Sequence, residues 1–104
     1  MAGQAQWIAD FMTDVFENPP SDHEVTRRTN GKYPGLAVKR ERRLIIDFYA
    51  HDSYIRGGLW RVTDGEKNAL KKWPGVELRE PQRAKYTTIY VRSSEGLKAI
   101  RSLF

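Results

Sequence analysis

The hydrophobic period of this chain switches between that of a helix and that of a strand, and this confines it to folds in which helices pack on strands. Across residues 4–17, Trp7, Ile8, Phe11, Met12, Val15 and Phe16 recur at i, i+1, i+4, i+5, i+8 and i+9. That spacing is one stripe of a 3.6-residue helix. Asp10, Asp14 and Glu17 fall on another face, and Pro19-Pro20 ends the element, because a residue preceding proline avoids the helical region. Carboxylates in the last turn oppose the helix dipole, so local helix stability does not account for them.

From Leu36 the period is two. Leu36 and Val38 alternate with Ala37 and Lys39; Leu44, Ile46 and Phe48 alternate with Ile45, Asp47 and Tyr49, with Arg40-Glu41-Arg42 as the turn between them. A third strand is predicted from Tyr54 to Val62, where Gly57-Gly58 marks a bulge or a close backbone approach. Thr63-Asp64-Gly65-Glu66 is a capping box opening a helix to about Trp73, stopped by Pro74-Gly75. Val76–Arg79 and Lys85–Arg92 read as two strands around a Glu80-Pro81-Gln82 turn, and Ser93 or Ser94 caps a last helix carrying Leu97, Ile100, Leu103 and Phe104.

The expected order is α-β-β-β-α-β-β-α, an α+β domain with an antiparallel or mixed sheet of about five strands. A length of 104 residues fits one domain, 1–104. Within it, 1–17 is an acidic amphipathic helix, 18–35 an irregular turn-rich segment, and 36–104 the sheet with two helices. Asn30-Gly31 in the irregular segment has the chemistry to close a hairpin from Glu24–Thr29, with Pro34 limiting the second strand. Trp7, Trp60 and Trp73 are expected to fill the core.

No apolar run approaches the roughly 18–20 residues of a membrane span, no charged-then-apolar leader is visible, and there is no cysteine. The expectation is a cytoplasmic protein with no membrane partner.

Catalytic patterns are weak. His51-Asp52-Ser53 has the residue types of a hydrolase triad, but adjacent side chains diverge and do not align nucleophile, base and orienter. His23 lies beside Asp22 and Glu24; two histidines without cysteine make no zinc set. No spacing among Asp22, Glu24 and Asp47 argues for magnesium, and no glycine motif cradles phosphate. Neither metal nor cofactor is expected. Glu77-Leu78-Arg79 resembles the Glu-x-Lys strand of restriction-type nucleases, with Arg in place of Lys and Asp47 as the earlier acid. Size and basicity resemble those of small ribonuclease toxins that work with Arg, Lys and Tyr, although the leading acidic helix departs from their layout. A non-catalytic protein is expected, with that His-poor ribonuclease chemistry as the residual enzymatic reading.

Charge carries the functional expectation. The net charge is +5, from 18 basic and 13 acidic residues. Residues 1–26 contain five carboxylates and no Lys or Arg; residues 27–43 contain Arg27, Arg28, Lys32, Lys39, Arg40, Arg42 and Arg43 against Glu41 alone. Such a belt, with Tyr33 inside it to stack on a base, has the composition of a nucleic-acid surface. Lys67, Lys71 and Lys72 on one helix, and Arg79, Arg83, Lys85 and Arg92 around the last hairpin, would extend it if the fold brings them to one face. The expected partner is nucleic acid or a nucleoprotein complex. The alternative is a protein-directed inhibitor or adaptor whose Asp10, Asp14 and Glu17 mimic phosphates in a basic groove. In size and style, though in no motif, such a domain is similar to phage-encoded anti-defence proteins of the anti-CRISPR type.

Overall fold

The computed structural model describes residues 5–80 and 85–104. The chain is an α+β domain, and its described elements run α1 (Gln6–Glu17), β1 (His23–Asn30), β2 (Tyr33–Arg40), β3 (Arg43–Ala50), β4 (Ile55–Leu59), α2 (Asp64–Leu70), β5 (Val76–Arg79), β6 (Thr87–Val91) and α3 (Leu97–Arg101). The strands form one antiparallel sheet in the order β1-β2-β3-β4-β6-β5. Consecutive strands up to β4 are neighbours because two- to four-residue turns join them; the α2 excursion then lets β6 rather than β5 pair with β4.

The sixth strand, β1, comes from the segment read as irregular. Residues 18–35 hold all of β1 and the start of β2, closed by a two-residue turn at Gly31-Lys32 with Asn30 opposite Tyr33. Gly31 takes φ 61 in the first central position, where a hairpin favours glycine. Pro34 is tolerated because β3 begins to pair with β2 only at Gly35, so its missing N–H leaves no gap in that ladder.

Register and the two-residue side-chain period sort the sheet into two faces. Leu36, Val38, Ile46, Phe48, Ala50, Ile55, Leu59, Ile89 and Val91 point one way and are buried. They form one cluster with Ile8, Phe11 and Val15 of α1, Leu70 of α2, and Ala99 and Ile100 of α3. α1 lies across β1, β2 and β3, and the Phe11 ring meets the Phe48 ring at 5.6 Å. Burial of the valine, leucine, isoleucine and phenylalanine side chains among these, at roughly 1.5–3 kcal/mol each, is the main force holding helices to sheet.

The glycine pair in β4 is a close approach. The β3–β4 register runs without a shift, and a Cβ on Gly57 would stand 2.7 Å from the Asp47 carbonyl oxygen. The irregularity lies instead between β2 and β3, at Val38/Lys39. α2 has the expected capping box: the Thr63 hydroxyl accepts from the Glu66 N–H at 3.1 Å, and the Glu66 carboxylate accepts from the Thr63 N–H at 3.0 Å. It ends at Leu70, short of Trp73, which is 36% exposed. Ser93 acts one turn ahead of α3, its hydroxyl accepting from the Gly96 N–H at 3.2 Å and donating to the Pro74 carbonyl at 2.7 Å. The expected Glu80-Pro81-Gln82 turn extends, at Pro81 and Gln82, outside the described residues. Among the described residues no helix is long and apolar enough to cross a membrane.

Candidate nucleic-acid interface

The second face of the sheet is covered by no helix among the described residues, and its composition follows from register alone. One row crosses all six strands as Arg28–Gly35–Tyr49–Arg56–Tyr90–Glu77. The next row runs Thr26–Ala37–Asp47–Gly58–Thr88–Arg79. Five inter-strand steps of about 4.8 Å make each row about 24 Å long. The first row thus mixes arginines, tyrosines and a glycine, and rings lie over the residues that lack a side chain: Tyr49 lies across Gly35, and the Tyr86 ring would stand 3.2 Å from a Cβ on Gly58.

Tyr90 is the electrostatic centre. The guanidinium carbons of Arg79, Arg92 and Arg56 lie 4.9, 5.0 and 5.8 Å from its ring centroid. Glu77 bridges Arg79 and Arg92, bonding the latter at 2.9 Å, and these two arginines hold its carboxyl below the ordinary range, the Arg79 hydrogen bond first. One carboxylate among three guanidiniums leaves the cluster cationic. From Tyr90 an aromatic run continues to Tyr54 at 6.1 Å, to His51 stacked on Tyr54 at 4.5 Å, and to Tyr33 at 3.9 Å from His51, with the Lys32 ammonium 5.4 Å from the Tyr33 ring. Burial, then the Arg56 charge, and to a smaller degree Lys32, lower the His51 pKa from its ordinary value against the opposing pull of Asp52. The imidazole is therefore biased towards its neutral form, suited to stacking.

On the other side of the central row, Asp47 accepts from Trp60 Nε1–H at 3.2 Å on Oδ1 and from Arg28 at 3.4 Å on Oδ2. Trp60 packs on Tyr86 at 4.8 Å. Asp47, Trp60 and Tyr86, together with Tyr49, Gly58 and Arg56, line a depression of about 190 Å³. Of the three tryptophans expected in the core, Trp7 packs against it, Trp60 stands on this face and Trp73 is exposed.

The structure divides the basic belt of residues 27–43. Arg28, Tyr33 and Lys39 lie on the open face, with Lys32 at its margin. Arg27 points to the other face and covers the Phe16 ring at 4.2 Å. Arg40, Arg42 and Arg43 surround the β2–β3 turn, roughly 23 Å along the strand from Tyr33. Of the later cations, Arg79 and Arg92 join the open face; Lys67 is held by Glu80 and, at 3.9 Å, Asp64; Lys71, Lys72 and Lys85 are exposed elsewhere; and Arg83 lies outside the described residues. Arg56, Tyr49, Tyr54 and Tyr90 had no signal in charge clustering, because antiparallel pairing gathers them from three separate stretches.

Other candidates separate. Asp14 bonds Arg101 at 2.7 Å, which holds its carboxyl low, and Asp10 accepts from Gln6 at 2.7 Å, while Glu17 is exposed. Asp47 and Glu77 stand on strands three positions apart, roughly 14 Å, too far to share a metal. Among the described residues no group of three His, Asp or Glu gathers to hold one. His51 takes its place in the aromatic run, with its N–H bonded to the Tyr54 carbonyl at 2.9 Å across the turn. No protein-family model, curated protein or solved structure matches the chain.

Proposed function

We propose that this is a non-catalytic domain that binds single-stranded nucleic acid, free or within a nucleoprotein complex, on the helix-free face of its sheet. The observation that carries the reading is Tyr90 ringed by Arg56, Arg79 and Arg92 within 6 Å, in register with Tyr49 across the sheet. Guanidinium forks fit phosphate in two-pronged fashion, and aromatic rings stack on bases of any identity. A duplex keeps its bases inside, where these rings find no partner; an unpaired strand offers both bases and phosphates to a flat sheet. The cysteine-free sequence accords with a reducing compartment, and the proposed location is the cytoplasm. The acidic stripe of α1 is the weaker surface, since Arg101 already occupies Asp14.

Fluorescence anisotropy with labelled oligo-dT, oligo-U and a mixed-sequence duplex tests this. Three phosphate contacts give a log–log salt slope of about −2, so binding of single strands should weaken roughly 20-fold between 50 and 200 mM salt. Tyr90→Ala should weaken it by about 1–3 kcal/mol, the worth of one base stack. Neutralising Arg56 and Arg92 should matter more than neutralising Arg40, Arg42 and Arg43, and Asp10→Asn with Asp14→Asn should leave affinity intact. Absence of single-strand binding at low salt would overturn the proposal; a protein-only ligand sensitive to Asp10 and Asp14 would replace it with the inhibitor reading.

A further inference from the structure

We infer that the depression around Asp47 is a base-reading pocket selective for guanine, an inference that rests on the single-strand reading above. Its floor is Gly58, where a Cβ would stand 2.9 Å from Asp47 Oδ1, 3.2 Å from the Tyr86 ring and 3.4 Å from Trp60 Nε1. Any larger residue there would close the space. Along the strand direction Tyr49 follows Asp47 by two residues, and the Trp60 N–H bonds the Ile45 carbonyl, two residues before it. The slot therefore lies between the Tyr49 ring on one side and the Trp60–Tyr86 pair on the other. At about 190 Å³ it is smaller than the roughly 300–1,000 Å³ that encloses a drug-sized ligand, and suits one planar base.

The Asp47 carboxylate, 14% exposed, lines this slot with its Oδ1 beside Gly58. Trp60 uses one lone pair of Oδ1 and Arg28 one of Oδ2, and each carboxylate oxygen has a second. What remains is one acceptor site on each of two adjacent oxygens, with the carboxylate held in place by two donors. Among the bases only guanine offers two adjacent donors, N1–H and the exocyclic amine, on its Watson–Crick edge. Adenine and cytosine present one donor beside a ring-nitrogen acceptor, and uracil or thymine flank one N–H with two carbonyls; each sets a lone pair against the carboxylate. An arginine side chain has the same paired donors, but Arg28 and Arg56 stand at the pocket and repel a third cation.

The experiment measures affinity of the full chain for five oligo-dT 12-mers that differ at one central position: thymine, guanine, hypoxanthine, adenine or cytosine. Hypoxanthine keeps N1–H and lacks the amine. Guanine should bind about five- to 150-fold tighter than thymine, the range for one bidentate contact to a base, and hypoxanthine should lose most of that gain. Asp47→Asn should abolish the guanine preference, read as the ratio of guanine to thymine affinity within the variant itself. Equal wild-type affinity for all five would overturn the guanine pocket and leave the single-strand surface standing. No binding to any of them at low salt would overturn both. The hypoxanthine comparison uses the unmodified protein, so it decides the question even if Asp47→Asn fails to fold.

Discussion

The β2–β3 turn stores conformational strain that two substitutions should release. Its central residues, Glu41 and Arg42, both have positive φ, 54° and 67°, the pattern of the tight hairpin turn that favours Asn-Gly. Each L-residue with a bulky side chain pays roughly 1–2 kcal/mol to sit there, whereas asparagine tolerates the region and glycine has no Cβ to clash. Against a gross gain of about 2–3 kcal/mol stands glycine's larger loss of chain entropy on folding, roughly 0.5–1 kcal/mol. The double variant Glu41→Asn, Arg42→Gly should therefore be more stable by about 1.5 kcal/mol. With about 2.1 cal/mol/K per residue of unfolding entropy, a 104-residue chain converts this to a rise in Tm of about 7 °C. The mirror experiment is Gly31→Ala in the preceding hairpin, where φ is 61 and an added Cβ meets nothing within 4 Å. That cost is purely conformational, about 1 kcal/mol, or a fall of about 5 °C. Thermal melts and urea titrations by circular dichroism read both, with unchanged urea m-values showing that stability alone has moved. An unchanged or lowered Tm in the double variant would refute the strain argument, and an unchanged Tm in Gly31→Ala would refute the backbone reading of both turns. Because the turn lies away from Tyr90 and the double variant removes one negative and one positive charge together, oligonucleotide affinity should stay unchanged.

Two further outcomes follow from local physics. The depressed His51 pKa means that the unfolded chain binds a proton the native stack resists. Its contribution is therefore present above pH 6.5 and is lost as pH falls through the lowered native value. Asp14, Glu77 and Glu80 are also lowered, by Arg101, Arg79 and Lys67, but their contribution survives until pH drops below about 4.5, the ordinary glutamate range. The urea midpoint should accordingly decline between pH 7.5 and 5.5 in the wild type and much less in His51→Gln; superimposable profiles would contradict this. Thr63→Ala removes the reciprocal cap of α2 and should cost about 1 kcal/mol, a fall in Tm of about 5 °C, with oligonucleotide binding unaltered because α2 is not on the open face.

Local chemistry made much of the fold legible along the chain. The apolar stripe of Trp7–Phe16, the alternation from Leu36 to Tyr49 and the Thr63–Glu66 box each specify an element through contacts a few residues apart, and each forms. Asn30-Gly31 also carried a hairpin signal, which Pro34 obscured because its harmlessness depends on where β3 starts to pair. The proposed binding face depended on long-range pairing. Clustered charge drew attention to residues 27–43, yet strand alternation sends Arg27 and Arg28 to opposite faces, and β2 carries Arg40 far from Tyr33. Arg56 and Tyr90 carry no signal in sequence, and Arg79 and Arg92 extend the basic surface only if folding brings them to it; antiparallel register sets Arg56 opposite Tyr90 and Tyr90 opposite Glu77. The side-chain period of two tells which residues share a face within one strand. Which strands lie side by side, and in what register, is set by closure of the whole core, so the site appears only when the chain has folded.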